Sequence, residues 1–231
     1  GQVNGIIKLP SVTEIFISWW FYVPTTAPWS GEGTIQGQNW KTMWLAMNED
    51  YWNNGSDTYV WRSGAVTGSD LSFKNNSGTI AYPNTESVNI PYFTKGRWQR
   101  LVWWIRDGSN NDGSSSLWAL SNTEMQLVRS FTNANTVVSG VVRTDLSVNG
   151  HFIQHPTGTQ PVAYYDDVYV ATGPGARARV EIGNASTYAA SNNFSIATVT
   201  SWGDTSITAT IRQGSFVNLN DAYLYVIDAN G

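Results

Sequence analysis

Gly96-Arg97-Trp98-Gln99-Arg100-Leu101-Val102-Trp103-Trp104-Ile105-Arg106 reads as a single β-strand, and its two faces decide the fold. Successive side chains of a strand point to opposite sides. Leu101, Trp103 and Ile105 share one side and are purely apolar, so they belong in a core. Trp98, Arg100, Val102, Trp104 and Arg106 share the other, where indoles alternate with guanidiniums. A second aromatic stretch sorts the same way. Ile15, Ile17, Trp19, Phe21 and Val23 form its apolar side, and Phe16, Ser18, Trp20 and Tyr22 the side with polar handles.

Outward from these stretches the chain is strand-like throughout. Apolar residues nowhere recur at i, i+3, i+4 and i+7, whereas short β-branched and aromatic runs are frequent. Strands are predicted over 13–23, 41–47, 58–63, 71–74, 97–106, 115–120, 124–131, 148–153 and 163–171. Turn residues separate them, as in Asn53-Asn54-Gly55-Ser56, Asn75-Asn76-Ser77-Gly78 and the Gly- and Asn-rich run from Asp107 to Gly113. This is the pattern of an all-β sandwich or jelly roll. A domain boundary is placed at Thr172-Gly173-Pro174-Gly175: eleven of the twelve Trp precede it and only Trp202 follows. Residues 1–173 are expected to form the larger domain. Residues 174–231, with strands predicted over 177–182, 194–198, 206–211 and 222–227, read as a small Ig-like β module. Its last strand ends on Asp228-Ala229-Asn230-Gly231, a turn that wants a following strand, so truncation is expected there.

Two segments carry a family resemblance. Gly96-Arg97-Trp98-Gln99-Arg100-Leu101 resembles the G-x-W-x-x-hydrophobic strand start of laminin-G-like and other concanavalin A-like domains. Tyr165-Asp166-Asp167-Val168-Tyr169-Val170 resembles the strand that closes those jelly rolls. The resemblance covers roughly residues 1–173 and implies a concanavalin A-like jelly-roll sandwich of a secreted, glycan-active bacterial protein. It implies further that Trp98 packs inward, and that Asp166 joins backbone carbonyls around a structural Ca²⁺. A fold of this kind hosts lectins, hydrolases and lyases alike, so it selects no activity.

Composition narrows the choice. Hydrophobic residues make up 41% of the chain and charged residues 13%, against an average of about 25% charged. The surface must therefore be rich in Asn, Ser, Thr and Gly, as is common outside cells. Net charge is −4 with 13 Lys and Arg in all, which argues against a nucleic-acid partner. No apolar run approaches the length of about 18 residues that a spanning helix needs, so no membrane insertion is expected. With no Cys, disulfides, thiolate metal sites and a cysteine nucleophile are excluded.

Three functions follow from the residues. The first is non-catalytic polysaccharide binding on an aromatic and Arg-lined concave sheet. Trp20, Tyr22, Trp61, Trp104 and Trp118 would stack on sugar rings, while Arg62, Arg100 and Arg106 would select acidic ones. The alternative for each Trp is that it fills the sandwich core. The second is a polysaccharide lyase. No E-x-D-x-x-E-like carboxylate pair exists for a hydrolase, but a lyase needs only a base and a group that neutralises the uronate carboxyl. His151, His155 and Tyr164 are the candidates. The Q-x-H and Y-F-K-x-G-x-Y signatures of alginate-lyase-like jelly rolls are imperfect here, in Gln154-His155 and Tyr92-Phe93-Thr94-Lys95-Gly96. The third is self-association through exposed edge strands in a filament or surface layer.

Overall fold

The computed structural model describes residues 5–26, 39–47, 50–62, 69–75, 96–120, 123–137, 139–153 and 162–231. Within residues 39–41, 47, 50–62, 69–75 and 149–153 the description is of the backbone. Fifteen strands are found among the described residues and no helix. In chain order they are β1 (Gly5–Val12), β2 (Glu14–Tyr22), β3 (Asn39–Met47), β4 (Asp50–Arg62), β5 (Ser69–Asn75), β6 (Trp98–Arg106), β7 (Gly113–Leu120) and β8 (Met125–Ala134). They continue with β9 (Arg143–Ile153), β10 (Tyr164–Thr172), β11 (Arg179–Gly183), β12 (Phe194–Ile196), β13 (Thr198–Trp202), β14 (Ile207–Thr210) and β15 (Tyr223–Ile227).

The first ten strands make two five-stranded sheets, ordered β1-β9-β3-β4-β5 and β10-β2-β6-β7-β8. All their pairings are antiparallel. Each sheet contains one three-strand meander, and the flanking strands return from elsewhere in the chain. That arrangement is a jelly-roll sandwich. The core lies between the sheets: Ile15, Ile17, Trp19 and Phe21 from β2, Leu101, Trp103 and Ile105 from β6, and Met43, Leu45 and Leu146 from the opposing sheet. These are the apolar sides that strand alternation assigns. Full burial of each such side chain is worth on the order of 2–3 kcal/mol. The Trp103 indole N–H also finds a partner, the Ser115 hydroxyl at 3.0 Å.

Local preference is overridden in places. Asn53-Asn54-Gly55-Ser56 is not a turn but the middle of β4, where Gly55 pairs with Ala46 on one side and Lys74 on the other. Ladder partners on both sides satisfy a backbone whose own residues favour turns. β1, which the sequence reading did not foresee, pairs with β9. The predicted strand over 194–198 divides into β12 and β13, with the Ala197 N–H between them bonded to the Val180 carbonyl at 2.9 Å.

After β10 the chain turns at Gly173, whose φ of 91° belongs to the left-handed region that suits glycine. The Gly173 N–H donates to the Glu14 carbonyl at 2.9 Å and fixes the exit direction. The remaining strands form a three-stranded sheet, β12-β11-β15, and a β13-β14 hairpin.

Candidate functional site

The C-terminal strands lie against the outward side of the second sheet, where the sequence reading places its aromatic groove. Phe16, Val102, Leu120 and Met125 from that sheet form one buried cluster with Ala176 and Phe194. Trp20, Trp104 and Trp118 pack against this cluster, together with Tyr188, Ile196 and Tyr225. Arg177 stacks its guanidinium 4.6 Å from the Trp104 ring centroid and 5.5 Å from that of Trp118. The Trp104 indole N–H donates to Glu14 Oε1 at 3.0 Å, and Glu14 Oε2 accepts the Gly175 N–H at 3.3 Å. The expectation that Trp20, Trp104 and Trp118 line an open groove is thus corrected. Their outward faces are taken by another part of the same chain.

Arg100 is corrected more sharply. It is 1% exposed, and its guanidinium is used inside the protein. Nε donates to the Ser18 hydroxyl at 2.9 Å and Nη1 to Glu181 Oε2 at 2.8 Å. Arg179 holds the other carboxylate oxygen of Glu181, and it also donates to the Tyr188 hydroxyl at 3.3 Å. Burial alone would raise the Glu181 carboxyl, but the charges of Arg100 and Arg179 and their hydrogen bonds outweigh it, leaving the group below the usual carboxylate range. The Tyr188 hydroxyl is pushed up by burial and by Glu181. Such a cluster joins strands and holds the Arg100 and Arg179 side chains inside the protein.

The covering stops before the far end of β2 and β6. Tyr22 pairs with Trp98 on β6 and with Tyr164 on β10, so three aromatic residues stand in one row across three strands. Trp98 is 44% and Tyr164 53% exposed. Trp98 therefore faces outward, as strand alternation places it and contrary to what the family resemblance implies. At the other end of β6, Arg106 is exposed and donates to the Ser114 hydroxyl at 3.4 Å. Asp166, expected at a calcium site, is exposed and accepts the Asp167 N–H at 2.8 Å. No cluster of three or more acidic or His side chains suited to a metal occurs among the described residues.

The first sheet offers a different outward side. Leu45 and Leu146 point into the core, so Trp44, Ala46, Asp145 and Ser147 point away from it. All four are nevertheless buried, as is Thr42. Lys8 pairs with Asp145 at 2.7 Å. Two further rows follow from the backbone register, the second lying beyond a break in the pairing between Lys41 and Met43. Ser147, Trp44, Asp57 and Ser72 are successive partners across β9, β3, β4 and β5; His151, Lys41, Tyr59 and Asp70 are another such set. Direct antiparallel partners share a face of their sheet. The sequence reading singled out His151 from this second row and missed Lys41 and Tyr59 as its neighbours, since register is invisible in a linear chain. Trp61 and Arg62 lie at the end of the same β4, with Arg62 the partner of Asn39.

The three residues assigned to a lyase do not come together. His151 is on the first sheet and Tyr164 on the second, because the chain crosses the sandwich between β9 and β10. His155 lies outside the described residues.

No family model matches the chain, and no curated protein does. Solved structures with a similar course include an endo-β-1,4-glucuronan lyase from the fungus Trichoderma reesei, at 18% identity and TM-score 0.48, covering 74% of this chain and 75% of that one. The alginate lyase Aly36B, in a mutant form with an alginate trisaccharide, matches at 14% identity and TM-score 0.47, covering 73% and 74%. A PL-14 alginate lyase from Aplysia kurodai matches at 12% and 0.44, covering 70% of each chain. All three fall below a TM-score of 0.5, and the fold described above rests on the sheet order of the chain itself.

Proposed function

We propose that this protein binds a polysaccharide on its first sheet. The observation that carries the reading is the register row of His151, Lys41, Tyr59 and Asp70. Strands lie about 4.8 Å apart, so the backbone positions of His151, Lys41, Tyr59 and Asp70 stand in one short line across four strands. A phenol can stack on a sugar ring and hydrogen-bond its hydroxyls. A lysine ammonium is a charge partner for a sugar carboxylate, which makes acidic polymers the favoured class. On the opposite sheet, Trp20, Trp104 and Trp118 are packed beneath β12 and β15.

Affinity electrophoresis in gels containing alginate, pectate or glucuronan tests this. Retardation by at least one polymer, lost in Lys41→Ala and Tyr59→Ala, is expected. Wild-type retardation in both variants overturns the site.

The same row favours a second reading, cleavage of the bound polymer by elimination. Lys41 would neutralise the uronate carboxyl, and Tyr59 or His151 would take the proton from the adjacent carbon and return it to the glycosidic oxygen as the C–O bond breaks and the C=C bond forms. The product carries a carbon–carbon double bond that absorbs in the ultraviolet. Absorbance that grows with wild type and is lost in Tyr59→Phe supports cleavage. A flat trace on every polymer that is bound leaves binding as the function.

A further inference from the structure

We propose that the row Tyr22, Trp98 and Tyr164, half-buried at Tyr22 and exposed at both ends, is a second carbohydrate site, on the opposite sheet and independent of the first, and that it takes uncharged sugar rings. The row spans β10, β2 and β6 in direct register. Its ring centroids are 5.6 Å apart for Tyr22–Trp98 and 6.1 Å for Tyr22–Tyr164, with planes tilted by 44° and 51°. The rings thus make a continuous, faceted surface with the indole at one end.

Exposure here contrasts with the next row along the same strands. Two residues on, Trp20 packs into the buried cluster and Arg100 is sealed beneath Glu181. The C-terminal strands close that row and leave the aromatic one open. Large aromatic residues at 44% and 53% exposure leave substantial apolar surface in water.

The chemistry of the surroundings chooses the occupant. Two of the three rings carry a hydroxyl, so the surface is amphipathic and suits a ligand with apolar ring faces and polar edges, as a pyranose has. Charge at the row is negative: Asp166 and Asp167 follow on β10 and are exposed. Among the described residues, Arg100 on this face is held inside the protein, and Arg212 lines a cleft with Asp167 rather than with the rings. Carboxylates accept hydrogen bonds from sugar hydroxyls and repel uronate or sulfate groups. The row is therefore matched to neutral polymers, where the first-sheet row with Lys41 is matched to acidic ones.

Affinity electrophoresis of the whole protein in hydroxyethylcellulose, xylan and galactomannan gels, with alginate alongside, provides the test. Retardation by at least one neutral polymer is expected. It should weaken tenfold or more in Trp98→Ala and in Tyr164→Ala, with unchanged melting temperature, and persist in Lys41→Ala. The proposal is overturned by no retardation in any neutral gel, by neutral retardation that survives Trp98→Ala, or by a dimer in solution that Trp98→Ala dissociates. Because the acidic-polymer site is read separately through Lys41→Ala in alginate, failure of either site leaves the other standing or falling on its own result.

Discussion

Arg100 Nη1 donates to Glu181 Oε2 at 2.8 Å, joining residues 81 positions apart across the contact between the second sheet and β11. Both side chains are at most 1% exposed. A buried carboxylate with two cationic partners is stable only while the partners remain, because each charge left behind would be stranded away from water.

Glu181→Ala would strand Arg100 and Arg179 together. A loss of about 3–5 kcal/mol in folding free energy is expected, read from urea unfolding. Ser18→Ala, which removes only the Ser18 acceptor of Arg100, should cost about 1 kcal/mol. Equal losses in the two variants would mean that the ion cluster is not what holds the C-terminal strands down.

The cluster also sets a pH response. The Glu181 carboxyl titrates below its unfolded value in the native protein. Its contribution is therefore complete above the ordinary carboxylate range and is lost as pH falls through the depressed native value. Asp107 works in the other sense, since burial raises its carboxyl despite the bond from Arg143. Subtracting the stability curve of Glu181→Gln from that of wild type cancels Asp107. The difference should shrink steadily on acidification below the ordinary carboxylate range; a constant difference contradicts the assignment.

Arg177 covers the faces of Trp104 and Trp118. Arg177→Ala should expose both indoles and increase quenching of the tryptophan emission by acrylamide. The accompanying loss of stability should be small, about 0.5–1 kcal/mol, as for a partly exposed cation–π contact.

Trp103 and Trp202 give a contrast between core and surface. Trp103 is fully buried between the sheets and Trp202 is 42% exposed. Trp103→Ala should cost about 3–5 kcal/mol, whereas Trp202→Ala should stay within about 0.5 kcal/mol. Thermal unfolding of the two variants checks both values.

Much of the architecture was legible in the chain. Ile15, Ile17, Trp19 and Phe21, with Leu101, Trp103 and Ile105, were assigned to the core by alternation, and there they lie. The turn reading failed at Asn53-Asn54-Gly55-Ser56, where two neighbouring strands impose the extended form. Of the expected groove, Tyr22 is half-buried between the exposed Trp98 and Tyr164, and Trp20, Trp104, Trp118 and Arg100 serve an internal contact. No local signal marks that difference. An indole stacked under a guanidinium from residue 177 and an indole awaiting a sugar have the same neighbours in sequence. Lys41 and Tyr59 were missed for a related reason: their relation to His151 is a matter of strand register.

By itself, the sequence determined the central strands β2 and β6 and the sorting of their side chains to two sides, because alternation is a property of each strand's own stereochemistry. Only the tertiary structure decided which outward side meets water and which residues stand in one row. Those outcomes depend on partners far away in the chain, such as Glu181 for Arg100 and Tyr59 for Lys41, and no short-range pattern encodes them.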